Sequence, residues 1–336
     1  MFRGLLLFAV LGLYFISTIS QAGDVVESPV SDSVVGPDFA VFCQVAKDQW
    51  RRVINHNDKG VNVLPQAITF EDAWNHDLTV PIATLPENHE AIQWSNLRCP
   101  LPDPHVDTWG YAMTYPSHQK EVRLEDVFHF RKFGPAVGAN SNILFRPHLD
   151  YESEIGILMQ RGNSHRFGYI LVNDWTDRGI QVRTYDAGNM APGFTAAKSF
   201  KDALHVGYLL VVGNAAVWEK LEIELRINGE KRQHLIARDC FIRPGQVFTK
   251  IFNEKDAGEW AFVATGTTGG VQFQSPTIWQ KIGLMMTSGF SKKEAIDRWL
   301  AQLSFLQPGD RIEFYSTMLG HSRATVVREK KNDANS

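Results

Sequence analysis

The stretch Asp150-Tyr151-Glu152-Ser153-Glu154-Ile155-Gly156-Ile157-Leu158-Met159 decides the reading of the fold. Ile155, Ile157 and Met159 alternate with Gly156 and Leu158, the period of a strand whose successive side chains point to opposite faces. Carried back along the same strand, Glu152 and Glu154 fall on one face. Two carboxylates that close repel each other, and burying them without compensation is costly. A divalent cation resolves the conflict, and hard oxygen donors select Mg²⁺, Mn²⁺ or Ca²⁺ over zinc. A bare Glu-x-Glu is more commonly a solvated strand face, so a third ligand is needed. Asp174, closing the apolar run Leu171-Val172-Asn173-Asp174, is in place to supply it.

Further strands follow outward. Leu221, Ile223, Leu225 and Ile227 alternate with Glu222, Glu224 and Arg226 before Asn228-Gly229, the dipeptide of a two-residue hairpin turn whose positions both need positive φ. A late helix is expected from Ser291, with Glu294 completing a capping box and Ala295, Ile296, Trp299, Leu300 and Leu303 as its apolar stripe. Toward the N-terminus, Phe39, Phe42, Val45, Ala46, Trp50, Val53 and Ile54 have the spacing of an amphipathic helix ended near Asn57–Gly60. A second, short helix is expected after Thr69, with Glu71 and Asp72 in its first turn. Pro100, Pro102 and Pro104 mark a boundary. The expected organisation is residues 1–22 as a targeting segment, 23–104 as leader and helical region, and 105–330 as the main domain. No internal repeat or low-complexity segment interrupts it.

The 336 residues carry 34 Lys+Arg against 37 Asp+Glu, a formal charge of −3, with 44% apolar types. That composition is ordinary for a globular chain. It excludes a disordered protein, and the absence of a basic surplus argues against a nucleic-acid partner. Arg3, the apolar run Leu5–Ile16 and the small-residue ending Ser20-Gln21-Ala22 read as a secretory signal cleaved after Ala22. An uncleaved anchor is the alternative, since Gly4 to Gly23 carries no charge. Export to the periplasm or the medium would put Cys43, Cys99 and Cys240 where a disulfide can persist. One pair could form in three ways, and the sequence does not choose.

His118 and Glu121 are three residues apart, so on a helical turn they share a face. A carboxylate beside an imidazole orients the ring and raises its basicity, as a general base requires. A surface ion pair would give the same spacing. His105, His129, His148 and His165 have no comparable partner in the sequence and read as structural or surface residues.

Taken in order, these pieces resemble the fumarylacetoacetate hydrolase family. The resemblance runs through His118-x-x-Glu121, Glu152-x-Glu154, Asn173-Asp174 with Arg178 and Gln181, and Ala197-Lys198-Ser199-Phe200. It continues through Asn228-Gly229-Glu230, Arg232-Gln233, Thr265-Gly266-Thr267-Thr268-Gly269-Gly270-Val271 and Pro308-Gly309-Asp310. No one motif is specific, and the weight lies in their shared order. The resemblance implies an α+β, mostly β fold, a mixed β-sandwich or roll with a small helical N-terminal region. It implies a divalent metal held by Glu152, Glu154 and Asp174 and water activation by His118 and Glu121. It also implies substrate contacts from Lys198, Gln181, Arg178 and Thr267, and a homodimer.

Several positions depart from the family pattern. Only 20 residues separate Glu154 from Asp174, Gly179 stands where an Asp is usual, and Thr268 replaces a Pro. The stretch from Thr267 to Asp310 is longer than usual and contains the Ser291 helix. These changes surround the pocket and leave the metal carboxylates intact. The expected activity is metal-dependent hydrolysis of a carbon–carbon bond in a small 1,3-dioxo or 2-oxo acid. A decarboxylase, hydratase or isomerase using the same site is the first alternative, and an exported non-catalytic binding protein the second.

Overall fold

Ser153–Gln160 is the strand expected from the Asp150–Met159 stretch, and it lies inside the main sheet. It pairs antiparallel with Phe167–Asp174 on one side and with Trp260–Ala264 on the other. Ile155, Ile157 and Met159 enter one core cluster and Leu158 enters another. Gly156 lies under Phe262, whose ring comes within 2.3 Å of where a Cβ would stand. The strand is therefore buried on both faces, which is why its alternate positions are also apolar or small.

The computed structural model describes residue 36 and residues 38–78, 88–103, 105–138, 140–184 and 188–329. The segment read as a secretory signal lies outside the described residues. None of the helices among them is long and apolar enough to cross a membrane.

From one edge the main sheet runs Glu90–Gln93, Gly60–Val63, Gln49–His56, Phe39–Ala46, Leu209–Gly213 and Phe167–Asp174. It continues through Ser153–Gln160, Trp260–Ala264, Asp107–Ala112 and Phe128–Lys132. Trp260–Ala264 and Asp107–Ala112 run parallel, which makes the sheet mixed. A five-stranded sheet of Glu230–Ile236, Glu222–Ile227, Arg311–Ser316, Gly320–Val327 and Ile143–Leu144 packs against it. Ile223, Leu225 and Phe314 share the larger core cluster with Ile155 and Ile157. The α-helices among the described residues are α1 (Phe70–Trp74), α2 (Pro116–Val122), α3 (Arg178–Arg183), α4 (Ala191–Ala197), α5 (Pro244–Phe252), α6 (Ile278–Thr287) and α7 (Lys292–Leu300).

The helix expected from Phe39 to Ile54 is not present; strands Phe39–Ala46 and Gln49–His56 take its place. They turn at Asp48, whose φ is +57°. Phe39, Val41 and Cys43 face one core cluster while Ala40 and Phe42 face the other. A strand buried on both faces has no alternation to read, and its apolar residues happened to match a helical spacing. Phe39–Ala46 pairs with Leu209–Gly213, so the segment before residue 105 extends the main sheet rather than forming a helical region.

Thr69 caps α1, and Ser291 caps α7 by accepting from the Glu294 N–H, which is half of the expected capping box; the return bond from the Glu294 side chain is not made. Asn228 and Gly229 turn the hairpin with φ of +51° and +85°. The three cysteine thiols are free, with Cys43 and Cys240 buried.

Candidate metal centre and adjoining cavity

Glu152, Glu154 and Asp174 meet where the hairpin Ser153–Asp174 opens, because Glu152 precedes its first strand and Asp174 ends its second. One oxygen from each lies within 4.8 Å of the others, and all three side chains are buried. Glu154 Oε2 accepts from the Gly266 N–H at 2.7 Å. Its Oε1 is buried without a hydrogen-bond partner among the described residues. Burial, with the like charges of Asp174 and Glu152, pushes the Glu154 carboxyl well above the usual range.

Cations surround this acidic cluster. Lys198 Nζ donates to Glu152 and, at 2.8 Å, to Asp174 Oδ2. Burial alone would lower the lysine, but Asp174 and Glu152 hold it above its ordinary range. Arg178 donates through Nη2 to Glu152 Oε1 at 2.6 Å, through Nε to Asp150 Oδ2 at 2.8 Å, and through Nη1 to Gln181 Oε1 at 2.8 Å. Lys132 Nζ donates to Asp174 and, at 2.8 Å, to the Lys198 carbonyl.

Lys132 and Asp150 are the residues that the sequence reading did not assign to the site. Phe128, Phe130 and Lys132 share one face of the Phe128–Lys132 strand. A lysine continuing an apolar face was the available signal. Asp150 also accepts from the N–H groups of Gln272 and Phe273, tying that loop to the site.

The donor set fits a divalent ion. It offers hard oxygens, one of them orphaned, and four carboxylates (Asp150 included) against three cationic side chains. A cation would satisfy Glu154 Oε1 and remove the like-charge repulsion.

His118 and Glu121 fall on one face of α2, with Pro116 opening the helix. His118 is 3% exposed, and its Nδ1 lies 3.7 Å from Glu121 Oε2. The Gly270 N–H fixes the other Glu121 oxygen at 2.9 Å. Gly270 has φ +100°, and a Cβ there would stand 2.1 Å from the Arg232 carbonyl. Thr267 Oγ1 donates to the Ser153 carbonyl and accepts from Gln233 Nε2, both at 2.9 Å. Its hydroxyl thereby ties the Gly-Thr loop to the acidic strand.

His118, Arg178 and Gln181 border a cavity of about 390 Å³, on whose opposite side are α6 and α7. The structure thus gathers the predicted metal, base and substrate residues around one cluster and its adjoining cavity. Thr267, expected to contact the substrate, does not line that cavity.

A mostly β fold that buries three carboxylates within 4.8 Å of one another, with His118 on the adjoining cavity, defines a candidate metal-dependent enzyme. The profile described as Fumarylacetoacetate (FAA) hydrolase C-terminal matches residues 103–327, and the chain belongs to this family. It is similar to oxaloacetate tautomerase YisK from Bacillus subtilis (strain 168), at 27% identity over 195 residues. That match covers 52% of this chain and 62% of the relative, less than two thirds of its length.

Two solved structures share the fold. One is described as a probable 2-hydroxyhepta-2,4-diene-1,7-dioate isomerase from Mycobacterium abscessus (TM-score 0.56, 20% identity, 87% of this chain and 99% of that one). The other is 2-hydroxyhepta-2,4-diene-1,7-dioate isomerase from Mycobacterium marinum (TM-score 0.55, 15% identity, 87% and 100%).

Proposed function

We propose that the protein is a metal-dependent enzyme that hydrolyses a carbon–carbon bond in a small acylpyruvate. The observation that carries this reading is buried His118, beside half-buried Glu121, at the edge of the same cavity as Arg178 and Gln181. A divalent cation held by Glu152, Glu154 and Asp174 would supply positive charge against the enolate that develops on bond cleavage.

The chain's own residues do the rest. Nδ1 of His118 faces Glu121, which leaves Nε2 to accept a proton from water. The water oxygen attacks the carbonyl remote from the substrate carboxylate. The bond between that carbonyl carbon and the methylene then breaks, and its electron pair stays on the methylene carbon as the enolate of pyruvate. His118 returns its proton to that carbon, and the acyl part leaves as a carboxylic acid. Lys198, whose ammonium has two of three protons on carboxylates, directs the third toward the substrate acid. Gln181 offers its amide N–H to the same group, while Arg178 and Lys132 hold Glu152 and Asp174 in place. Thr267 positions the loop that carries Gly266.

A second reading, tautomerisation of a 2-oxo acid, is favoured by the similarity to an oxaloacetate tautomerase. It would use His118 to move a proton between carbon and enol oxygen without adding water. Purified protein with Mn²⁺ or Mg²⁺ should be given acetylpyruvate and oxaloacetate while pyruvate release and enol absorbance are followed separately. Pyruvate formed from acetylpyruvate supports hydrolysis. Enol decay without pyruvate selects the tautomerase, and neither signal from metal-loaded protein rejects both. In this reading the enzyme works outside the cytoplasm, and the intact mass of the exported protein should begin at Gly23.

A further inference from the structure

We propose that the cavity between α2, α3 and the α6–α7 hairpin is an acyl-group site, so that the preferred substrate is an oxo acid carrying a medium-length unbranched or an aryl apolar substituent. The inference rests on the proposed action on acylpyruvates and adds the class of acyl group. About 390 Å³ lies within the usual size of small-ligand pockets. His118, Arg178 and Gln181 give the cavity a polar edge on the side of the carboxylate cluster. Its walls are apolar, built from Leu124, Val182, Phe194, Phe273, Leu284 and Trp299.

Charge rules against a short dicarboxylate as the intended occupant. The charge of Arg178 is already matched by Asp150 and Glu152, and a third N–H goes to Gln181. The other cationic side chains of the cavity, Arg123, Lys281 and Lys292, are exposed at its rim. A second carboxylate a few bonds from the reacting carbonyl would lie against Phe194, Phe273 and Trp299 and lose its hydration without replacement. An alkyl or aryl group loses nothing there and gains by leaving water.

Helix α6 supplies an independent observation. None of its ten residues is buried. Its inner residues Leu284 and Met285 face the cavity, and among the helices it packs on α7. Leu284 already packs against the cluster that contains Phe273 and Trp299, and an apolar occupant would extend that contact along the inner face. The hairpin it forms with α7 occupies the part of the chain, between Thr267 and Asp310, that is long for the family.

The test uses full-length protein loaded with Mn²⁺ and a series of acylpyruvates from acetyl to octanoyl, with benzoylpyruvate and fumarylpyruvate alongside. At about 0.8 kcal/mol per buried methylene, kcat/KM should rise on the order of 100-fold from acetyl to hexanoyl. Fumarylpyruvate should be used less well than hexanoylpyruvate. Leu284→Glu should flatten the chain-length slope. A flat series in the wild type, or preference for fumarylpyruvate, overturns the proposal.

Binding separates this failure from failure of the hydrolase reading. With or without turnover, 2-oxooctanoate, longer by five methylenes, should bind the Mn²⁺-loaded protein on the order of 1,000-fold more tightly than pyruvate by titration calorimetry. Equal affinities, or tighter binding of 2-oxoglutarate, would reject the acyl site. Tight 2-oxooctanoate binding with no reaction on any acylpyruvate would reject only the hydrolase.

Discussion

The Gly266 N–H reaches Glu154 Oε2 at 2.7 Å while the other oxygen of that carboxylate is buried with no hydrogen-bond partner among the described residues. Gly266 can make this approach because its φ is +91° and a Cβ would stand 2.2 Å from Thr114 Oγ1. The free oxygen is the one that a divalent cation would use. Glu154→Gln should therefore lower Mn²⁺ affinity at least 100-fold. It should leave the melting temperature of metal-free protein unchanged or higher, because a buried like-charge contact with Asp174 and Glu152 is removed. Calorimetric titration and thermal melts of the same preparations check both halves. Unchanged metal affinity would place the ion elsewhere.

Lys132 shares Asp174 with Lys198, so it opposes the cation it helps to organise. Burial lowers its pKa despite the attraction of Asp174. Breaking a buried pair usually costs about 3–5 kcal/mol, and Lys198 remaining on Asp174 keeps the expected loss at the lower end. Lys132→Met should thus melt earlier than wild type without metal and bind Mn²⁺ more tightly. A loss of affinity would mean that Lys132 orients Asp174 more than it competes for it.

Legibility in the sequence followed burial geometry. The Glu152–Met159 stretch was readable because the acids needed compensation and the strand period continued from them. Phe39–Ala46 misled because both its faces are buried, leaving the helix and strand periods indistinguishable. Lys132 was hidden for a different reason: its meaning depends on Asp174, brought beside it only by sheet pairing. Helix α6 had a readable start, since Thr277 and Gln280 form a capping box. Its apolar residues on both faces obscured an amphipathic stripe. The cavity could not be read at all, because its walls come from separate segments of the chain.

The His118–Glu121 pair should carry proton transfer rather than metal binding. His118→Asn is expected to lower kcat by about 10²–10⁴-fold while Mn²⁺ affinity stays within a few-fold of wild type. Glu121→Gln keeps an oxygen for the Gly270 N–H and removes the charge facing Nδ1. It should cost less than His118→Asn, because the imidazole stays in place and only the charge that orients it is lost. Wild-type turnover in His118→Asn would end its assignment as the base.

His205 predicts an acid sensitivity separate from catalysis. It is 2% exposed, both ring nitrogens lack hydrogen-bond partners among the described residues, and Trp175 packs edge-on at 5.6 Å. Burial lowers its pKa from 6.5 to about 3. Between those values the unfolded chain binds the proton and the folded chain does not, so stability falls as pH drops through that window. His205→Leu should reduce the difference in melting temperature between pH 7.5 and pH 5. An identical pH dependence in wild type and variant would refute this.

Gly270 links the stability of the loop to the placement of Glu121. Its φ is +100° and the Arg232 carbonyl lies 2.1 Å from where a Cβ would stand, so there is no room for a side chain. Strain of that kind costs about 1–3 kcal/mol, and displacement of the Gly270 N–H would release Glu121 Oε1. Gly270→Ala should lower both melting temperature and kcat while Mn²⁺ affinity holds, since none of the three metal carboxylates bonds to Gly270. Gly229→Ala provides the comparison: φ is +85°, yet nothing lies within 4 Å of the added carbon. It should cost about 1 kcal/mol of stability and leave kcat unchanged. If the two variants lost equal activity, the loss at Gly270 would reflect backbone strain in general and not the hold on Glu121.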